Sequence, residues 1–158
     1  MRKQIINQGS QGSSPADDQE WLDVENLVQV ELTSEDAEHA IESALVSNTG
    51  SGWRAQLPGK QTILLLFDAP QRISRIQLVF QENELERTQE FVLSWSRGTG
   101  EPPREIVRQQ YNFSPHGNTR ELEDYFVDLE AMTMLELQIN PDISGEGVHA
   151  SLEKLRLA

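Results

Sequence analysis

Seven side chains here can hold a hydroxyl-rich ligand without reacting with it: Arg54, Arg87, Arg108, Gln110, Tyr111, His116 and Asn118. Guanidinium and amide groups are planar hydrogen-bonding forks that suit hydroxyl groups. The rings of Tyr111 and Phe113 offer flat apolar faces for a C–H surface. Glu82 is a further polar candidate. The runs Arg87-Thr88-Gln89-Glu90 and Arg108-Gln109-Gln110-Tyr111 stand out in a chain with only 13 Lys and Arg. Each residue also has a plainer role. An Arg among many acids forms surface ion pairs, and His116 in SPHGNT suits a turn. Trp53, just ahead of the apolar run QTILLLFDAP, reads as a plug for the core more readily than as a stacking platform.

Other chemistries find less support. His39, His116 and His149 lack the H-x-x-x-H spacing of a catalytic zinc site. With no cysteine there is neither a disulfide nor a thiolate metal site. Calcium takes carboxylate and backbone oxygens, so an acid-rich chain leaves it open. G-x-S-x-G, P-loop and H-E-x-x-H patterns are all missing. Carboxylate pairs abound, but none reads as an acid/base dyad, and Glu121-Leu122-Glu123-Asp124 reads as a solvated acidic face. The expectation is a chain that is not an enzyme.

Charge narrows the partners. In 158 residues, 26 acids stand against 13 bases, for a formal net charge of −13. Phosphate backbones and anionic membranes repel such a chain. A neutral glycan or a locally basic protein patch fits better. The start MRKQIINQGS has no apolar stretch of signal-peptide length, and no run nears the roughly 20 apolar residues of a membrane span. These features, with the lack of cysteine, lead to the expectation of a soluble, cytoplasmic protein.

The positioning elements follow from apolar periodicity. Residues 1–20, rich in Gln, Ser, Gly and Asp, predict a flexible polar tail, and Trp21, Leu22, Val24 and Leu27 mark where a domain over 21–158 begins. Val28 to Leu32 alternates as a strand. Thr33-Ser34-Glu35-Asp36 looks like a helix start, and Ala37, Ala40, Ile41, Ala44 and Leu45 fall on one helical face. Thr62 to Phe67 predicts a central strand covered on both faces, and Asp68-Ala69-Pro70-Gln71 predicts a turn. Further strands are predicted at Ile73–Phe80, Phe91–Trp95, Ile106–Phe113, Tyr125–Leu129, Leu135–Ile139 and Leu155–Leu157. About eight strands and one short N-terminal helix argue for an all-β antiparallel sandwich or jelly roll.

The order of features resembles the discoidin type, also called the coagulation factor V/VIII C-terminal type, of galactose-binding-like β-sandwiches. Ala40-Ile41-Glu42 stands where that family has a small loop, and Gly52-Trp53 where it has Thr-x-Trp. QTILLLFDAPQRISRIQLVF resembles its paired strands, Phe91-x-Leu93-x-Trp95-Ser96 a later strand, and Ser151-Leu152-Glu153-Lys154-Leu155 its terminal strand. The resemblance spans residues 28–158. It implies a non-catalytic module that binds a ligand, carbohydrate first, with the loops at one end. It also implies a structural calcium held by Glu42, Asn48 and Glu153. Two features depart from the pattern. Met134-Leu135-Glu136-Leu137 lacks the arginine many members carry, and the disulfide joining the ends of many extracellular members is absent. These departures favour the alternative of a protein-interaction or assembly module with no sugar ligand.

Overall fold

The computed structural model describes residues 21–46, 51–98 and 100–158. The expected polar tail of residues 1–20 lies outside them, as does Asn48. Eight strands are present among the described residues: β1 (Val28–Leu32), β2 (Trp53–Pro58), β3 (Gln61–Gln81), β4 (Arg87–Ser96), β5 (Arg104–Phe113), β6 (Arg120–Asn140), β7 (His149–Leu152) and β8 (Lys154–Leu157). One short helix, α1, spans Glu42–Leu45. No helix among the described residues is long and apolar enough to cross a membrane.

β3 and β6 are antiparallel partners along nearly their whole length, from Gln61↔Ile139 to Gln81↔Arg120. Their register slips between Leu66 and Arg75, where the paired ribbon turns a corner. Asp68-Ala69-Pro70-Gln71 therefore does not end a strand, as the sequence predicts. It is a bulged bend inside one, and two expected strand pairs are really two long strands. Ala131 on the partner strand takes a φ of 56°, the one left-handed non-glycine among the described residues. Before the corner, residues 61–67 lie between β1 and residues 134–140, and β4 and β5 extend that layer. After it, residues 73–81 lie between β8 and residues 120–129. The two layers face each other: Phe80 of the smaller stacks on Phe91 of the larger, with ring centroids 5.3 Å apart. A separate ribbon of β2 and β7 closes one side.

Ile63, Leu65 and Phe67 are buried while Thr62, Leu64 and Leu66 are half-buried. The apolar run thus has one core face and one partly covered face, not two covered ones. Trp53 is the expected plug. It is 1 % exposed, and its indole N–H donates to Ser34 O at 3.1 Å. Trp95 is half-buried, with Arg97 and Arg104 beside its ring.

The helix expected from Thr33 onwards shrinks to four residues. Asp36 N–H donates to Arg54 O and Arg54 N–H to His39 O, so residues 36–39 are held against β2 as a bridge. Glu35 then caps the short helix by accepting the Ile41 N–H at 2.8 Å. Gly52, at a φ of 84°, lets the chain pass Leu152, where a Cβ would sit 2.5 Å from the Leu152 carbonyl oxygen.

Glu121 overturns the reading of Glu121–Asp124 as a solvated face. It is 1 % exposed and points between the layers, accepting a hydrogen bond from Gln89 Nε2 at 3.1 Å. Burial, and then the Glu123 carboxyl beside it, pushes its pKa well above the usual glutamate range. The same burial raises the Tyr125 hydroxyl, with Glu123 adding to it. Asp124, on the opposite face, is held low by its ion pair with Arg75.

Candidate functional site

The corner sorts the loops. Residues 33–40, 59–60, 82–86, 114–119 and 141–148 connect strand ends paired near Gln61, Gln81, Arg87 and Asn140. They form the open end of the sandwich. Leu22 N–H donates to Leu157 O, and Ala158 N–H to Arg75 O, so the described chain starts and stops toward the corner.

Two clefts mark the open end. The first, about 260 Å³, lies beside the β2–β7 ribbon and is lined by His39, Arg54, Gln81, Asn83 and Glu153 among others. Arg54 is exposed and makes no side-chain hydrogen bond or ion pair with a described residue. His39 Nδ1 sits 3.0 Å from Asp36 Oδ2, an acid held below its usual range chiefly by that contact. Gln81 Nε2 donates to Asn83 Oδ1 at 2.8 Å, and Gln81 Oε1 accepts from Arg120 at 3.5 Å. Glu153 accepts from Arg120 at 3.2 Å. The cleft thus offers a guanidinium, two amides and an imidazole, all hydrogen-bonding groups for hydroxyls. Trp53 lines it too, but its ring faces are buried and cannot serve as a platform.

The second cleft, about 540 Å³, opens between the β4–β5 ends and the loop after β6, lined by Asn112, Asn118, Asp142 and Ser144. Arg87 forms its floor. The Arg87 side chain is 1 % exposed; Nε donates to Glu82 at 2.7 Å, Nη1 to Pro141 O at 2.7 Å, and the guanidinium stacks on Phe113 at 4.7 Å. The hydrogen bond to Arg87, with Glu84 and Leu85 N–H groups, holds Glu82 below the usual range against the effect of its own burial. Arg87 is therefore a strut that ties two loops to the core.

The seven sequence candidates do not converge. Arg54 lies in the first cleft, and Arg87 and Asn118 in the second. Arg108 is a mid-strand surface residue paired with Glu90 at 3.4 Å and Glu105 at 3.0 Å. Gln110 donates to the same Glu90 at 3.2 Å. Tyr111 donates its hydroxyl to Arg120 O at 2.9 Å and sets its ring edge-on to Phe113. His116 is exposed in the tight turn closed by Ser114 and Asn118. Sequence reasoning passed over Gln81, Asn83, Asp142 and Ser144. Their only signal is a polar stretch between strands, which every loop shares.

Glu42 and Glu153 line different clefts. Among the described residues no group of three or more acids or histidines could hold a metal ion. Asn48, the third residue expected to hold calcium, lies outside the described residues.

No family model matches the chain, and no curated protein sequence matches it. Solved structures do. A family 32 carbohydrate-binding module from C. perfringens NanJ, solved with galactose, superposes with a TM-score of 0.62 over 87 % of this chain and 96 % of its own, at 10 % identity. A second family 32 module, from Clostridium perfringens with GalNAc-β-1,3-galactose, gives 0.59 over 87 % and 99 % at 18 % identity. A pectin-binding module gives 0.59 over 83 % and 89 %, also at 18 %. Those identities speak to architecture, and together with the two facing layers they show that the chain has the galactose-binding-like β-sandwich fold of the family 32 carbohydrate-binding modules.

Proposed function

We propose that the chain is a non-catalytic module that binds a carbohydrate at its open end, in the cleft around Arg54. The carrying observation is the exposed Arg54 guanidinium, which forms no ion pair with a described residue, beside Gln81, Asn83 and His39. Such planar groups hydrogen-bond vicinal hydroxyls, and the fold neighbours solved with galactose and GalNAc-β-1,3-galactose support the ligand class. Glu121, the buried acid with a raised pKa, lines neither open-end cleft, which argues against an acid catalyst there.

A glycan array followed by calorimetry tests this. Arg54→Ala is expected to weaken a hit about tenfold or more, the loss of charge-assisted hydrogen bonds. Arg108→Ala is expected to leave it unchanged. A blank array overturns the reading.

The second reading, a protein-interaction module, has its own support. Trp53 and Phe113 at the open end are buried, whereas Phe126 and Leu122 are exposed on the outer face of the smaller layer.

A further inference from the structure

A third cleft, about 380 Å³, lies along the side of the sandwich between edge strand β1 and α1, and shares no lining residue with the Arg54 cleft. Its floor is apolar: Val28, Val30, Leu32, Ile41 and Leu45. Its rim is acidic: Glu25, Glu35 and Glu42. No Lys or Arg among the described residues lines it. Glu35 spends one oxygen on the Ile41 N–H, but Glu25 and Glu42 form no ion pair with a described residue.

The strand beside this cleft is open. β1 pairs only with β3 among the described strands. Leu27 O accepts from Asp68 N–H, and Thr33 N–H donates to Thr62 O, so odd-numbered backbone groups point toward β3. Antiparallel alternation then turns the N–H and C=O groups of Val28, Val30 and Leu32 outward. Such a row is a template for another strand. The chain does not protect it with lysine, proline or a bulge, because β1 reads Val-Gln-Val-Glu-Leu in unbroken register.

We propose that this edge is a docking site for an extended, basic segment of a partner protein, which adds a strand to β1 and lays alternate apolar side chains over Val28, Val30 and Leu32. Backbone pairing supplies the anchoring, and the carboxylates that flank the two ends of β1, Glu25 and Glu35, with Glu42 across the cleft, select lysine or arginine at the ends of the segment. A second copy of this chain is a poor occupant, because a net charge of −13 on each makes the two rims repel.

The test uses the full chain and a fluorescent peptide whose valines alternate with threonines and whose two ends each carry a pair of lysines. Fluorescence polarisation is expected to show saturable binding that weakens about fivefold or more in E25Q/E42Q, while R54A leaves it alone. Amide exchange at Val28, Val30 and Leu32 is expected to slow when the peptide is bound. A peptide N-methylated along one edge, which cannot pair, is expected not to bind. Three results overturn the proposal: no saturable binding, equal binding of the N-methylated peptide, or equal binding to E25Q/E42Q. A gain in affinity on R2Q/K3Q also overturns it, because the chain's own basic start would then be the occupant.

Discussion

Glu121→Gln is expected to stabilise this protein, and more so as pH rises. The native pKa of Glu121 is pushed up to about 9, first by burial and then by Glu123, from an ordinary value of 4.5. Between those values the native state keeps a proton that the unfolded state has released. Stability from this group is therefore intact below about pH 4.5 and falls as pH rises toward 9. One proton gives a slope of at most about 1.4 kcal/mol per pH unit. From pH 4.5 to 7 the ceiling is about 3 kcal/mol, and sharing of the proton with Glu123 lowers the expected gain to about 1–2 kcal/mol. Glutamine keeps the acceptor for Gln89 and cannot ionise. Urea melts of both proteins at pH 4.5, 6, 7 and 8.5 give the difference curve, in which the histidines and surface acids cancel. The gain should be near zero at pH 4.5 and grow steadily. At neutral pH it should raise Tm by about 2–4 °C per kcal/mol. Parallel curves at every pH would refute the reasoning, as would a variant less stable than wild type at pH 8.5.

Two further expectations rest on packing. Arg87→Ala removes the Glu82 ion pair, the Pro141 contact and the stack on Phe113, and leaves Glu82 half-desolvated. A loss of about 3–5 kcal/mol is expected in denaturant melts, and lysine, which lacks the fork, should recover little of it. Gly52→Ala and Gly59→Ala share a positive φ, 84° and 89°, but only the first would drive a Cβ into backbone. Gly59→Ala should cost about 1 kcal/mol and Gly52→Ala several-fold more, and comparable losses in thermal melts would remove the steric argument.

The sandwich was legible because alternation survives wherever one face is buried. Phe91, Leu93 and the β8 leucines report their inward face directly. Trp53 was legible as core because a large indole is usually buried. Long-range contact decided the rest. Ala37 to Leu45 carries helical spacing, but hydrogen bonds to Arg54 hold its first half in a bridge, and residue spacing cannot register a partner across a loop. Asp68-Ala69-Pro70-Gln71 has turn chemistry, yet the partner strand bulges with it and the ribbon continues. Glu121 sits in a run of acids that looks solvated, and only Gln89 from the opposite layer reveals its burial. The Arg54 cleft joins residues from four separate segments, so its composition could be read only after the chain had been folded.

The shared long strands also set when this protein can fold. Gln61 waits for Ile139 and Ile76 for Leu157, so the middle of the larger layer and the edge of the smaller are completed by segments made long after their partners. Pairings this distant in sequence slow folding, because loop closure precedes any gain from contact. During synthesis the apolar stretch around Ile63 to Phe67 must therefore leave the ribosome well before its partner exists. For that interval the dense negative charge of the chain works against association of that exposed stretch with its neighbours.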